Sequence, residues 1–524
     1  MSPKRTICIG ALILALIFKF WLIAEMEITD DPDDPTDYVG QILQPHPSFY
    51  GPGTVWVAKL FQSSDIPFRD GIEALYLLAC LLVVKALFDW PVKSYLALGL
   101  FLFVYFNPAP EELFSHIMSD QVWLVEALLG LSLFVIFANS HSRWRCLYLA
   151  LAVTCLGLST LTRTTLIPLI ASFVLWATIS GTLCWLNRKR SVFDFHTAVG
   201  FIVCLASIGL LNYATCSFNS ALHGYFGLSI VDSREYREFY TCLQSVGDPT
   251  GEPHYPVDDR RLSLIAQAGP VSNQFVQQMR TDQRFRSVSR DTFGKYDFSL
   301  GWFHFIVFGS TIPNDDLSQG LAMFRSIERE IAQASADNRL KVRPVLPLPD
   351  CRIPIVLSVL PDALKDESTL ITTEPSRYAW AWGGDEPKFE NPYFTQVLTR
   401  RAVNPSSLRE YIGRSLCAFY SMVYSPMLLG LMLGMGAYLF CGIYSWKKKS
   451  GFNLRLSTRH LFVIFFAVLF FWYAFFHASG FPAFTRYLIY QNVMLPLLLV
   501  FYFRETWRLI RERNALSNQT SSPD

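Results

Sequence analysis

Long apolar runs, each closed by a short polar stretch, recur along almost the whole chain and break once, between about 214 and 415, where polar and apolar positions alternate at shorter range. A helix needs about 20 apolar residues to cross a bilayer. On that measure the runs predict ten spanning helices, at approximately 7–26, 71–88, 94–107, 121–138, 146–161, 165–186, 197–213, 418–445, 461–478 and 486–503. Lys4-Arg5 ahead of the first run also suits a signal peptide, but Ile23-Ala24-Glu25-Met26 is a poor cleavage site, so a retained helix is expected.

Inside the long polar insert the period changes. Leu317, Leu321, Phe324, Ile327, Ile331 and Ala334 fall on one helical face behind Asp315 or Asp316, either of which can cap. A second helix is expected from Asp258-Asp259 through Leu262, Leu264, Ile265 and Ala268 to Gly269-Pro270. Gly301 to Phe308 is apolar enough to dock on a membrane or to be buried. The stretch 343–361, with Pro344, Pro347, Pro349, Pro354 and Pro361, reads as extended or irregular. The pattern therefore divides the chain into a first membrane module, 1–213, with an outer loop at 27–70; an inserted domain, 214–415; a C-terminal set of membrane helices, 416–503; and a tail, 504–524. The fold class expected is an α-helical polytopic membrane protein with a mixed, mainly helical extracytoplasmic domain between the seventh and eighth spans.

Composition agrees: 51% of the 524 residues are hydrophobic and 17% are charged, too apolar for a soluble chain of this length. The net charge of +2 says little, but its placement says more. Lys4-Arg5, Lys93, Arg143 and Arg145, Arg188-Lys189-Arg190, Lys447-Lys448-Lys449 and Arg504 to Arg513 all fall on one side if the spans alternate. That side is cytoplasmic by the positive-inside rule. Both termini are then cytoplasmic and 214–415 is outside. The insert holds no Asn-x-Ser/Thr acceptor, which favours a bacterial cytoplasmic membrane. Of eleven cysteines, seven lie in or beside apolar runs as small hydrophobes. A Cys242–Cys351 bridge is compatible with the insert's exposure, and no spacing suits a metal or redox motif.

The chemistry-bearing residues gather on the outer side. Thr29 to Tyr38 carries Asp30, Asp31, Asp33, Asp34 and Asp37, punctuated by two prolines that forbid a regular helix. Such an acidic loop can hold a base, or it can be a solvated turn. Asp120 opens the fourth span, Arg163 closes the fifth, and Arg486-Tyr487 opens the tenth, all at that face. Each also has an ordinary role: Asp120 at the positive end of a helix, Arg163 and Arg486 as interfacial anchors. Lys19 and Lys85 within spans can snorkel. Glu126 is harder to explain and suits a cavity below Asp120. His46, His116, His304 and His477 are too scattered for a triad or zinc site. No phosphate-binding glycine loop, dinucleotide fingerprint or nucleic-acid patch is present.

These residues carry a resemblance. Asp30-Asp31-Pro32-Asp33-Asp34 with Tyr38 and Ile42-Leu43, then Gly51-Pro52-Gly53, Phe106-Asn107-Pro108 before His116-Ile117-Met118-Ser119-Asp120, Gly157 to Arg163, and Thr485-Arg486-Tyr487 with Pro496 occur in this order. Together they resemble the membrane module of the GT-C glycosyltransferases, which include protein O-mannosyltransferases and lipid A aminoarabinose transferases. The chain departs from that pattern in having two competing Asp-Asp pairs and Thr164-Thr165 after Arg163, and the insert resembles no domain of the family.

The resemblance implies transfer of a sugar from a polyprenyl-phosphate donor to a lipid, glycan or protein acceptor at the outer face of the bilayer. A first-loop aspartate, Asp34 or Asp31, would be the base, with Asp30 and Asp33 beside it and Asp120 orienting the acceptor or a cation. Arg163 and Arg486, with Tyr487, would stabilise the departing phosphate, helped by Lys59 and Arg69. Glu126 and His116 would line the cavity. A divalent cation is compatible with so many carboxylates, though nothing demands one. Two other readings stand beside this one: a transporter or flippase, which should show midplane ionisable residues or an internal repeat, and a non-catalytic scaffold in envelope polymer assembly.

Overall fold

The structure is a computed structural model of the chain, and it describes residues 2–23, 51–88, 90–114, 119–163, 165–186, 195–230, 232–248, 257–281, 317–344, 353–373, 407–447, 457–478 and 488–520. Each of the ten apolar runs is a helix. In chain order with their companions they are α1 Pro3–Ile23, α2 Gly53–Ser63, α3 Phe68–Leu87, α4 Tyr95–Tyr105, α5 Pro108–Phe114, α6 Ser119–Asn139, α7 Arg145–Thr162, α8 Leu166–Leu186 and α9 Phe195–His223. The insert contributes α10 Arg234–Ser245, α11 Asp259–Ala266, α12 Pro270–Thr281, α13 Leu317–Ala336 and α14 Ile353–Thr373. The C-terminal part supplies α15 Ser407–Lys447, α16 His460–Ala478 and α17 Ile489–Thr520.

Among the described residues six helices are long and apolar enough to cross a membrane unaided: α1, α6, α7, α8, α9 and α15. The chain is an α-helical, multi-pass membrane protein. α4, with 11 residues, rises only about 16 Å and cannot cross alone. α6 is the central element. Almost every residue from Ser119 to Phe137 is buried, and the helix packs on α3 and α7. Its hydrophobicity is uniform around the circumference, as expected for a helix enclosed by others rather than one facing lipid. The outer helices instead leave apolar side chains exposed, such as Leu14 and Ile17 on α1, Ile202 and Leu210 on α9, and Met422 and Met432 on α15. Without water to satisfy backbone groups, helices exposing such faces are the form that suits a bilayer.

Small residues set the closest approaches. Gly130 of α6 lies against Leu156 of α7, whose backbone nitrogen would be 3.0 Å from an added Cβ. Gly51 and Gly53, at the start of α2, pack on the end of α7. A Cβ on Gly51 would collide with the Leu161 carbonyl, and one on Gly53 would stand 2.8 Å from the Thr162 backbone nitrogen. The glycine-proline-glycine segment and the Gly157 to Arg163 segment, about a hundred residues apart in sequence, thus form one contact.

A second core is built within the insert. Tyr236, Phe239 and Leu243 of α10, Leu262 and Ile265 of α11, Phe275 and Met279 of α12, and Phe324, Ile327 and Ile331 of α13 bury together. Asp258 caps α11 by accepting from the Arg261 amide at 2.7 Å, as the sequence predicts. Glu330 of α13 accepts from the Val271 and Ser272 amides at 3.0 and 2.7 Å, supplying from outside the cap that Gly269-Pro270 cannot. Among the described residues a single antiparallel bridge, Val246 with Val342, closes the unit.

Several expectations need correction. The proline-rich stretch expected to be irregular ends in a helix, α14, which begins at Ile353 and contains Pro361. Pro354 falls in its first turn, where a missing N–H costs nothing. α14 packs on α16, and that tertiary contact outweighs the loss of one hydrogen bond at Pro361. The outer loop 27–70 is not all loop: Lys59 lies half-buried on α2, and Arg69 is in the first turn of α3. α9 and α17 run past their expected ends, α17 carrying the tail to Thr520 in helix. Cys242 is a free thiol, so the bridge to Cys351 is not made.

Candidate functional site

One end of the bundle collects polar side chains from six elements. They come from the last turn of α1, the first turns of α3, α6 and α17, the short helix α5, and the last turn of α7. Asn107 explains how α5 is placed. Its Oδ1 accepts from the Ala109 amide at 3.0 Å, starting the helix, while its Nδ2 reaches the Asn492 carbonyl of α17 at 3.4 Å. The Phe106-Asn107-Pro108 segment is therefore both a cap and a tie across the bundle.

α5 carries Glu111 into the interior, where two cations meet it. Lys19 of α1 and Arg69 of α3 each form a close ion pair with the Glu111 carboxylate, and Lys19 also donates to the Tyr105 carbonyl at 2.9 Å. Glu73, one turn along α3 from Arg69, completes a quartet, 3.8 Å from Lys19 Nζ and 3.9 Å from Arg69 Nη2. Lys19, Glu73 and Glu111 are wholly buried. The reading of Lys19 as a snorkelling residue is overturned. Its ammonium turns inward because two carboxylates wait there, and an ammonium so paired need not reach headgroups. Arg69 is likewise an interior partner and not a loop residue. Sequence reasoning missed Lys19, Glu73 and Glu111 as a unit. The sequence shows only that Lys19 and Glu73 are charges within apolar runs, which says they need partners and not which ones.

The second cluster stands where α6 begins and α7 ends. Arg163 pairs with Asp120 in a close ion pair, and Thr162 Oγ1 donates to Glu126 Oε2 at 2.7 Å. Trp123 donates from its indole to Thr165 Oγ1 at 2.9 Å, and Asn212 of α9 donates to Thr160 Oγ1 at 2.8 Å. The Gly157 to Arg163 segment thus presents Thr160, Thr162 and Arg163 to three different partners. Asp120 sits in the first turn of α6, where a carboxylate also complements the helix dipole.

Of the residues singled out in the sequence, Asp120, Arg163, Glu126 and Arg69 lie at this end, in two ionic groups. Asp30, Asp31, Asp33, Asp34, His116, Arg486 and Tyr487 lie outside the described residues. The described neighbours of those segments, Ile23, Gly51, Ser119 and Leu488, are all buried or in the bundle. Among the described residues no group of three His, Cys, Asp or Glu side chains is arranged to hold a metal ion.

A cleft of about 660 Å³ lies elsewhere, on the insert, bordered by Phe226, Arg234, Arg237, Glu238 and Cys242. Its charged groups are already occupied. Arg234 pairs with Glu238 at 2.6 Å and Arg237 donates to the Asp232 carbonyl at 3.0 Å. Burial, with the nearby Glu328 carboxylate, pushes the Cys242 thiol up to about 12, so it is no nucleophile at neutral pH. The polar end of the bundle is the better candidate.

No family model matches the chain, and no curated protein matches it. Among solved structures, the crystal structure of ArnT from Cupriavidus metallidurans bound to undecaprenyl phosphate is similar at 10% identity and a TM-score of 0.28, covering 93% of this chain and 76% of that one. A likeness that slight carries no weight for chemistry.

Proposed function

We propose that the protein is a membrane glycosyltransferase that takes a sugar from a polyprenyl-phosphate donor and passes it to a lipid, glycan or protein acceptor at the polar end of the bundle. A single observation carries the reading: Asp120 and Arg163, from two motifs 43 residues apart, are an ion pair beside Glu126 and Thr162. An anionic donor is well held by a guanidinium that donates two parallel N–H bonds to its phosphate oxygens. Arg163 is such a group, held ready by a carboxylate that a phosphate can displace.

The proposed reaction is one displacement. Asp34 or Asp31 takes a proton from the acceptor hydroxyl or amine, whose lone pair attacks the anomeric carbon. The bond from that carbon to the phosphate oxygen breaks, and its electron pair leaves with the phosphate. Developing negative charge on the departing oxygens is met by Arg163 and by Arg486, positive groups placed where the charge appears. No general acid is required, because phosphate leaves readily. Asp120, released from Arg163, orients the acceptor. The apolar faces of α8 and α9 beside this end suit a polyprenyl chain, which must stay in hydrocarbon while its phosphate reaches the polar groups.

The test is release of free polyprenyl phosphate from lipid-linked sugars by the purified chain. Asp34→Asn or Asp31→Asn is expected to abolish release while membrane insertion stays intact. Full activity in all four single variants, Asp30→Asn, Asp31→Asn, Asp33→Asn and Asp34→Asn, would contradict the proposal.

A further inference from the structure

The two ionic clusters leave unexplained a set of neutral polar side chains at the same end. Gln121, in the first turn of α6, and Gln491 and Asn492, in the first turn of α17, are each 0% exposed, and neither the oxygen nor the nitrogen of any of the three amides has a hydrogen-bond partner. The Tyr490 hydroxyl is in the same condition. The starts of the two helices meet through aromatic side chains, the Trp123 and Tyr490 rings lying 6.5 Å apart. The backbone carbonyl of Asn492 is already committed to Asn107 at 3.4 Å and to the Tyr424 hydroxyl at 3.2 Å, which fixes the turn while leaving the amide side chain uncommitted.

An amide buried without partners is destabilising, and in native proteins nearly all buried polar atoms are paired. Three such amides at two helix starts joined by an aromatic contact ask for an occupant. Chemistry narrows what it is. A phosphate only accepts hydrogen bonds and would satisfy the amide nitrogens alone. A cation would satisfy the oxygens alone. Each primary amide offers two donors and a carbonyl acceptor, and a tyrosine hydroxyl offers both roles. The partner that uses both is a group that itself donates and accepts at several adjacent positions, which is what the hydroxyls of a sugar do. Gln121 also directly follows Asp120, so a ligand whose anionic part exchanges with the Asp120–Arg163 pair would carry its next atoms toward the amides.

We propose that Gln121, Gln491 and Asn492 form a subsite that reads the hydroxyls of the transferred group, and that this group is a neutral polyhydroxylated sugar, not one bearing a cationic amine. The inference rests on the glycosyltransferase reading and deepens it. An amine-bearing sugar would call for a carboxylate within the subsite itself, and the three side chains that form it, Gln121, Gln491 and Asn492, are all neutral amides. A subsite of this kind discriminates strongly, because an analogue lacking the hydroxyls leaves the buried amides unpaired.

The experiment measures affinity of the purified full chain in lipid nanodiscs for bare dodecaprenyl phosphate and for its mannosyl, glucosyl, galactosyl and aminoarabinosyl derivatives. The wild-type protein is expected to bind at least one neutral sugar lipid tenfold or more tighter than the bare phosphate, and to show no such gain for the aminoarabinosyl lipid. In Gln121→Leu with Gln491→Leu and Asn492→Leu the gain should vanish while affinity for bare phosphate stays within twofold, which also reports a folded site. If that triple variant does not fold, the single variants Gln121→Met and Asn492→Leu should each lower the gain at least threefold. A gain that survives in the variants, or one largest for the aminoarabinosyl lipid, overturns the subsite. Wild-type binding of bare phosphate with equal affinity for every derivative overturns the subsite but leaves the glycosyltransferase reading standing. No binding of any lipid phosphate overturns both.

Discussion

Glu111 is the residue on which the interior charges depend. It takes both Lys19 and Arg69, and the second carboxylate, Glu73, lies farther from each. Glu111→Gln would leave two buried cations facing one distant carboxylate, and breaking a buried pair by removing one partner costs about 3–5 kcal/mol. The expected result is a large fall in thermal unfolding midpoint of the detergent-purified protein. Lys19→Met combined with Glu111→Gln should recover part of it, because one of the two cations that lose Glu111 is then gone; a double variant no more stable than the single one would contradict the assignment. Charge also sets a pH response in the insert. Burial, then repulsion from Glu238, raises Glu328 to about 7, against the pull of Arg325 and Arg329. A carboxyl raised above its unfolded value favours the fold only while protonated, so its contribution is present below about 4.5 and is lost as pH rises through about 7. Glu328→Gln should therefore stabilise the protein relative to wild type at pH 8 and little at pH 4.5. Unfolding midpoints at the two pH values check this, and an equal difference at both would contradict it.

At the scale of elements, what was legible in the sequence was what depends on period and length. The ten apolar runs are helices within a few residues at most ends, Asp258 caps its helix, and Leu321, Phe324, Ile327 and Ile331 are the buried face of α13. α10 and α12 are 12-residue helices whose apolar faces, Tyr236, Phe239, Tyr240 and Leu243 on one and Phe275, Val276 and Met279 on the other, recur at helical spacing, so both were legible, and their shortness and many polar side chains hid them. α14 escaped because its prolines argue locally against a helix, whereas packing on α16 decides the outcome. The quartet was illegible for a different reason: Lys19, Arg69, Glu73 and Glu111 belong to three elements, and no local pattern says which helices meet. The contact between α2 and α7 makes a sharp prediction at this scale. Gly51→Ala and Gly53→Ala each push a methyl group into the backbone of Leu161 or Thr162, and overpacking of this kind costs about 1–3 kcal/mol. Neighbouring Gly99, which has nothing within 4 Å of an added Cβ, is the control and should tolerate alanine. Equal unfolding midpoints for all three variants would show that the close approach of α2 to α7 is unimportant.

At the scale of the whole molecule, a bundle of helices enclosing α6 holds its charged and amide groups at one end, with apolar faces around them and a separately cored unit, residues 225–340, formed by the insert. We propose the sides of the membrane from the distribution of Lys and Arg, and the division into domains from the polar break at 214–415. That one end combines positive groups, carboxylates and lipid-facing surface is the physical basis for reading it as the seat of a lipid phosphate. A transporter would instead be expected to concentrate its charged groups near the bilayer midplane. The most direct measurement is saturable binding of bare polyprenyl phosphate to the full-length protein in nanodiscs, in wild type and in Arg163→Gln. Wild type should bind saturably, and the variant should bind about tenfold more weakly, as the loss of one charge-assisted contact implies. Equal affinity in the two proteins, or no saturable binding in wild type, would contradict the account.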